Sequence, residues 1–472
     1  MSYSAASESV MLHLGLGSFH RAHQAAYLQA LTDAGDSRWS IVGTNIRPEM
    51  AELLAALQGQ GGAYTLETVS PAGEYRYQRI EAIRRVLPYD ATLSSALEVA
   101  AQPSTRIISF TVTEAGYYLD PAGQLDAKSV DILADVQKLR RSEAGGTIFG
   151  AIAAMLRARM LSGAGPVTLL NCDNLRHNGD RFRSMLRAFL ELVADAPLLV
   201  WMESNTRCPN SMVDRITPRP PPELRERVRQ ATGHDDAVPV GGESFIQWVV
   251  EEDFAKGRPG WERVGVQMVD SVAPYEEAKI RILNGSHSCI AWAGTLAGMR
   301  FIHEGARSPA IRRLAYDYIT DDVIPCLDRP GAPSPVDLPS YRDVVLERFG
   351  NEAVRDTNQR VAMDAFSKIP GFIAPTIRER LAAAQPIASV AVLPALFLGF
   401  LQRWHAGALP YEYQDQAMDP AAAHAICEAA DPVAAFCADA SLWNDLAGDE
   451  RLADAVRQAM QRHSALIGGS RP

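Results

Sequence analysis

The chain is short of most features that would mark a secreted, membrane-bound or nucleic-acid-binding protein. Its six cysteines, Cys172, Cys208, Cys289, Cys326, Cys427 and Cys437, are scattered, and none stands in a Cys-x-x-Cys pair. At 472 residues that density argues against a disulfide framework, so reduced thiols in a cytoplasmic setting are expected. No stretch of about 18 apolar residues is present, so no membrane span is expected. The N-terminus, Met-Ser-Tyr-Ser-Ala-Ala-Ser-Glu-Ser, lacks a basic start and a long apolar stretch, which argues against a signal peptide. Lysine and arginine are outnumbered, 46 against 56 acidic residues. The resulting net charge of -10, with no long basic run, argues against nucleic acid as the main partner. Internal repeats and low-complexity tracts are missing too. What remains is a globular composition, 47% hydrophobic and 22% charged, in a chain too long for one ordinary core. Two domains are expected.

Val10–Leu16 reads as a strand running into a glycine turn, His20–Thr32 as the helix after it, and Ser40–Ile46 as a second strand. That is a β-α-β unit. Ile107–Val112 and Val167–Asn171 are further buried-strand candidates. Strands alternating with helices predict a mainly parallel sheet, with ligands beyond the carboxyl ends of its strands. In the turn, His13-Leu-Gly15-Leu-Gly17-Ser18-Phe19, two glycines permit close approach of backbone to a pyrophosphate. The third glycine of the usual dinucleotide fingerprint is replaced by His20. A plain strand-to-helix connection is the alternative; the position after the first strand favours a dinucleotide. After the second strand stand both Arg47, which would accommodate a 2′-phosphate, and Glu49, which would accept from a ribose hydroxyl. The balance leans to NAD with NADP left open. His20 and His23 lie three apart, but no acidic or cysteine cluster nearby completes a metal site, so no metal is expected. Packing or hydrogen bonding of both histidines, with Arg21 lending charge near the phosphates, is the preferred reading.

From Pro274 onward the pattern is helical: Tyr275–Gly298, Ser308–Val323, Tyr341–Arg348, Pro375–Ala384, Pro386–Gly407, Asp419–Ala430 and Asp449–Ile467. Breaking segments such as Asp328–Pro335 separate them. The expected organisation is an α/β nucleotide-binding domain over 1–269 and an α-helical substrate and catalytic domain over 270–472. Within the second, Lys279, Asn284 and His287 offer an amine, an amide and an imidazole. At roughly 100° per residue, Lys279 and Asn284 lie about 140° apart on an α-helix and Asn284 and His287 about 60° apart. These are the groups needed to take a proton from an alcohol and steady the oxygen left behind, without zinc. For each residue taken singly, a solvated or core position is the alternative.

Six motifs occur in order: Gly15–His23, Thr111–Tyr117, Asn171–Gly179, Pro209–Pro218, Pro274–His287 and Phe366–Pro370. Together they resemble the mannitol dehydrogenase family of polyol-specific long-chain dehydrogenases over nearly the whole chain. Gln60–Pro71, Ile282–Gly294 and Ala391–Phe397 point within it to the branch acting on D-arabinitol. The resemblance implies a Rossmann-type domain with a mostly helical partner, NAD or NADP as cofactor, and metal-free catalysis in a cleft between the two. A monomer is expected, with a small polyol or ketose as partner.

Residue by residue, Lys279 matches the family's general base. Asn174 and Asn284 match an oxyanion-hole pair, and His287 matches a residue binding the substrate oxygen. Asp214, beside Val213, matches an acid near the substrate, with a structural pair to Arg215 as the alternative. Glu114 fits a proton relay, and Thr113 would face the nicotinamide. Arg360 and Lys368 match positions holding distal hydroxyls, although either could be a surface ion-pair partner. Met50 stands where NAD-strict members can carry an aspartate, which leaves some NADP use open. Oxidation of D-arabinitol to D-xylulose is the leading expectation. A broader mannitol or sorbitol dehydrogenase, or a mannonate-type uronate oxidoreductase, comes second. A non-catalytic nucleotide-binding sensor is a distant third.

Overall fold

In the computed structural model residues 9–120 and 123–467 are described, apart from the side chains of Glu114 and Ala115. Two units are distinguished. The first comprises Met1–Ser70 and Glu74–Ala273, the second Pro71–Gly73 and Pro274–Pro472.

The strands of the first unit are β1 (Ser9–Leu14), β2 (Trp39–Thr44), β3 (Tyr64–Val69), β4 (Tyr75–Ile80), β5 (Ile83–Val86) and β6 (Thr105–Phe110). They continue with β7 (Val167–Asn171), β8 (Thr206–Arg207), β9 (Ser211–Asp214), β10 (Val240–Glu243), β11 (Gln247–Glu251) and β12 (Gln267–Val269). Six form one all-parallel sheet in the order β5-β2-β1-β6-β7-β8. Its central strands β1, β2, β6 and β7 are buried on both faces. Leu12, Leu14, Ile108, Phe110 and Leu169 join one core cluster, while Met11, Ile41, Ile107 and Leu170 join another. Alternation of side chains along each strand explains the division, and burial of both faces explains the unbroken apolar runs. Chain order reverses between β1 and β6, and the crevice beyond such a reversal is where doubly wound sheets bind ligands.

Two smaller sheets, β10-β3-β4 and β12-β11-β9, complete the unit. In the latter, antiparallel pairing sets Trp248 opposite Val213 and Gln247 opposite Asp214. The expected helix over His20–Thr32 is two helices, Ser18–Ala22 and Gln24–Asp33, interrupted at His23. There the imidazole leaves the helical pattern for a tertiary partner, with Nε2 2.9 Å from the Gln247 carbonyl.

The second unit is helical around one core cluster, with Trp292 and Phe397 at its centre (ring centroids 5.1 Å apart). Its main departure from expectation is the run over Tyr275–Gly298. This is an α-helix Ala273–Ala278, a π-helical turn Lys279–Asn284, and an α-helix Gly285–Leu296. Further π turns occupy Tyr318–Val323 and Ile369–Ile373, both packed against the first. Among the described residues no helix is long and apolar enough to cross a membrane.

Candidate active site

The turn after β1 is built to leave space. Gly15 has φ +114°, a region that L side chains rarely adopt, and its N–H donates to the Thr44 carbonyl (2.8 Å). Gly17 has ordinary backbone angles, and a Cβ there would meet nothing nearer than the Gly15 carbonyl at 4.0 Å. Among the described residues no packing contact therefore explains Gly17, whereas close approach of a phosphate would. Ser18 and Phe19 open the helix that follows, Phe19 stacking on His23 at 5.0 Å. Beneath the turn lies His13, whose Nε2 is 3.1 Å from the Gly15 carbonyl. A carbonyl only accepts, so the proton sits on Nε2, and Nδ1 accepts from the Ser109 hydroxyl at 2.9 Å. His20 stacks on His13 with centroids 3.4 Å apart. Burial pushes His13 down to about 3 and His20 well below its ordinary value, so both are neutral at pH 7.

Arg21, expected to lend charge to the phosphates, is buried. Nη1 donates to the Val238 carbonyl (2.5 Å) and the guanidinium lies over the Tyr64 ring at 5.2 Å. That placement gives it a structural role. Arg47 and Glu49 are exposed beyond the carboxyl end of β2, where ribose-reading groups belong.

Thr113 follows β6 and is exposed; Glu114 begins the short turn Glu114–Tyr117, and its side chain lies outside the described residues. Asn174 is exposed on the loop after β7. Val213 and Asp214 end β9 and are both buried. Arg215, weighed as the partner of Asp214, directs Nε to the Glu243 carbonyl (2.9 Å) and Nη1 to the Ala22 carbonyl (2.5 Å).

In the second unit the π turn carries Lys279 and Asn284. On an α-helix these two would diverge by about 140°. A π turn is wider, closing residue i on i+5, and so brings Asn284 back towards the face of Lys279. The Gly285 N–H makes such a bond to the Ile280 carbonyl. Hydroxyls satisfy carbonyls along the widened stretch: Tyr318 donates to Arg281 (2.8 Å), Ser286 to Ile282, and Ser288 to Asn284 (3.0 Å). Gly285 is what admits Tyr318, since a Cβ there would stand 2.4 Å from the phenolic oxygen. Arg281 is buried between Glu277 and Glu379, with a bond of 2.7 Å to each, which ties the turn to the helix Ala374–Ala382. Lys279 is 8% exposed.

One turn further on, His287 stacks on Phe349 (centroids 4.4 Å apart) and sets Nε2 3.4 Å from the carboxylate of Asp356. That distance is long for a hydrogen bond but short enough for electrostatic coupling. Burial keeps the imidazole below its ordinary value against the upward pull of Asp356. Burial would raise Asp356 itself, yet His287 and Arg360 hold it well below the usual carboxylate range. Arg360, expected on distal hydroxyls, forms a two-point pair with Asp356 (Nε to Oδ1 2.6 Å). Lys368 donates to the carbonyls of Val361 (2.8 Å) and Met363 (2.5 Å). Asp356 was not among the expected site residues. Its position four residues before Arg360 is the helical ion-pair spacing that could have drawn attention to it.

Comparison with known proteins follows this division. The Mannitol dehydrogenase Rossmann domain matches residues 9–263 and the Mannitol dehydrogenase C-terminal domain matches 271–464. The chain is 58% identical to a D-arabinitol 4-dehydrogenase of Ralstonia nicotianae over 98% of both chains. It is 51% identical to the enzyme of that name from Klebsiella pneumoniae, covering 97% of this chain and 98% of the other. Among solved structures, the Pseudomonas fluorescens mannitol 2-dehydrogenase ternary complex with NAD and D-mannitol is 32% identical with a TM-score of 0.82, covering 98% of this chain and 94% of that one. A D-sorbitol dehydrogenase in substrate-free form is 31% identical with a TM-score of 0.87, covering 98% and 95%. This chain belongs to the mannitol dehydrogenase family.

Proposed function

We propose that this protein is an NAD-dependent polyol dehydrogenase that oxidises D-arabinitol to D-xylulose. The chemistry rests on one observation above the others: a buried lysine and an asparagine on a π turn, with a neutral histidine one turn on. The choice of polyol rests on 58% identity along the whole chain to a D-arabinitol 4-dehydrogenase.

Lys279 accepts the proton of the reacting hydroxyl. A free ammonium has a pKa of about 10.4, so the amine must lose its proton before it can act as the base. Asn284 and Asn174 donate amide N–H groups to the oxygen as it becomes a carbonyl, or to the developing alkoxide in reduction. His287 binds the same oxygen from beside the base, and Asp356 steadies its ring. Asp214 and Val213 contact the polyol, and Glu114 relays the proton from Lys279 to solvent. Gly15, Gly17, Ser18 and Phe19 form the dinucleotide cradle, with Arg47 and Glu49 at the ribose and Thr113 at the nicotinamide. When bound, NAD⁺ supplies the hydride acceptor. The expected assembly is a monomer.

A broader hexitol dehydrogenase is the second reading, favoured by the fold shared with enzymes named for mannitol and sorbitol. A uronate substrate is less well supplied. Its carboxylate needs a cation, and Arg360 is already paired with Asp356 while Lys368 donates to two carbonyls. The test is NADH formation from D-arabinitol, D-mannitol, D-sorbitol and D-mannonate, each with NAD⁺ and with NADP⁺. The highest kcat/KM is expected for D-arabinitol with NAD⁺. Equal rates on the hexitols would replace it with the second reading, and no turnover of any would sink both.

A further inference from the structure

The loop that carries Asn174 sits on a buried polar network that joins the chain after β6 and the carboxyl end of β7 to the start of β9. Tyr117, fully buried at the end of the turn after β6, donates its hydroxyl to the Asp173 carboxylate. The same hydroxyl accepts from the side-chain amide of Asn171, the last residue of β7. Asp173 also accepts from the Leu175 N–H (3.1 Å), so its carboxylate closes the loop on both sides of Asn174. Asn178 donates to the Asp173 carbonyl (3.2 Å) and to the Ser211 carbonyl (2.9 Å), and accepts from the Ser211 N–H (2.9 Å). Ser211 returns its hydroxyl to the Asn171 carbonyl (2.5 Å) and begins the strand that ends in Val213 and Asp214.

Two features separate this network from ordinary loop packing. Asp173 is 5% exposed, and an unpaired carboxylate at such depth is costly; here donors on two segments meet it. Burial raises its carboxyl to about 6 against the pull of Tyr117 and the Leu175 N–H, which leaves it mainly an acceptor at neutral pH. Second, Asn174 stands on a loop outside helix and strand, directly between Asp173 and the Leu175 N–H that the Asp173 carboxylate accepts from.

We propose that Tyr117 and Asp173 are positioning residues that hold the Asn174 amide in the orientation needed to donate to the reacting oxygen. The proposal rests on the assignment of Asn174 as an oxyanion donor. Through Asn178 and Ser211 the same network sets Asn174 in register with the Val213–Asp214 strand end, and through Tyr117 with the Thr113–Glu114 segment.

The test is a double-mutant cycle on the full-length enzyme, using whichever polyol wild type turns over fastest. Tyr117→Phe removes one hydroxyl and keeps the ring. It should lower kcat roughly ten- to a hundredfold, the scale of a small misplacement of a catalytic group, while the NADH dissociation constant stays within about twofold. In an Asn174→Ala background the same substitution should change kcat by less than about twofold, because the group it positions is gone. Asp173→Asn, a near-isosteric change, should repeat the pattern and stands as the second probe if Tyr117→Phe folds poorly. Tyr117→Phe with near wild-type kcat, or effects that multiply fully with Asn174→Ala, would overturn the positioning role while leaving the oxyanion role intact. Asn174→Ala with undiminished kcat would remove the oxyanion role, and the positioning role would fall with it.

Discussion

At the scale of the residue, three groups of the second unit illustrate how burial is used. Lys279 is buried, His287 is kept neutral, and Asp356 has Arg360 to keep its charge tolerable inside the unit. Lys279→Ala is expected to lower kcat by roughly 10²- to 10⁴-fold, the range for losing a general base. NADH binding, read by fluorescence titration, should stay within about twofold. Turnover near that of wild type would remove Lys279 from the base role. Lys279, Asn284 and His287 were legible in the sequence because they share one short segment. Asp356 was not, since it reaches His287 across a long sequence separation and only its spacing to Arg360 is local.

At the scale of the element, the decisive unit is the π turn. A regular helix over Tyr275–Gly298 would have splayed Lys279 and Asn284 apart; the wider turn draws them together, with the remote Tyr318 hydroxyl satisfying its Arg281 carbonyl. Gly285→Ala tests this directly. Its Cβ would stand 2.4 Å from the Tyr318 oxygen and 3.1 Å from the ring, so the phenol must withdraw from the Arg281 carbonyl. A loss of about 1–3 kcal/mol of stability is expected for such overpacking. A fall in kcat should accompany it, measured by urea unfolding and by turnover on the same preparation. Unchanged stability and unchanged kcat would show that the turn does not need Tyr318. Helix locations in this half followed from apolar periodicity. The interruptions did not, because a π turn differs from an α turn by one residue and its partners lie on other helices.

At the scale of the whole molecule, the first unit holds two buried imidazoles beneath the Gly15–Gly17 turn. His13 and His20 are buried neutral, whereas in the unfolded chain an imidazole titrates near pH 6.5. Below that pH the unfolded state binds protons that the folded state refuses, so stability falls as pH drops. Each buried histidine costs roughly 2 kcal/mol at pH 5 by this linkage. Asp173 acts in the other direction. With its folded value raised to about 6, it destabilises the ionised folded state at neutral pH and returns roughly 1 kcal/mol on acidification. Urea unfolding of the first unit should therefore show a net loss of about 2–3 kcal/mol between pH 7 and pH 5. Equal or greater stability at pH 5 would mean that the two imidazoles are not held neutral.

What the sequence determined by itself is what local periodicity and short motifs encode. Apolar runs between turn residues specify the parallel strands, Gly15 and Gly17 specify the open turn after the first strand, and helical spacing past Pro274 specifies the second unit. Lys279, Asn284 and His287, the groups proposed to carry the chemistry, fall within nine residues. What tertiary structure decided is where side chains found their partners. His23 breaks its helix for the Gln247 carbonyl, and Arg21 turns inward to Val238. Tyr318 donates to the Arg281 carbonyl of the π turn, and Tyr117 meets Asp173 beyond β6 and β7. Each depends on satisfying a buried polar group with one remote in the chain. Such a pairing has no signature in a sequence window, because neither partner's burial is known until the fold has brought them together.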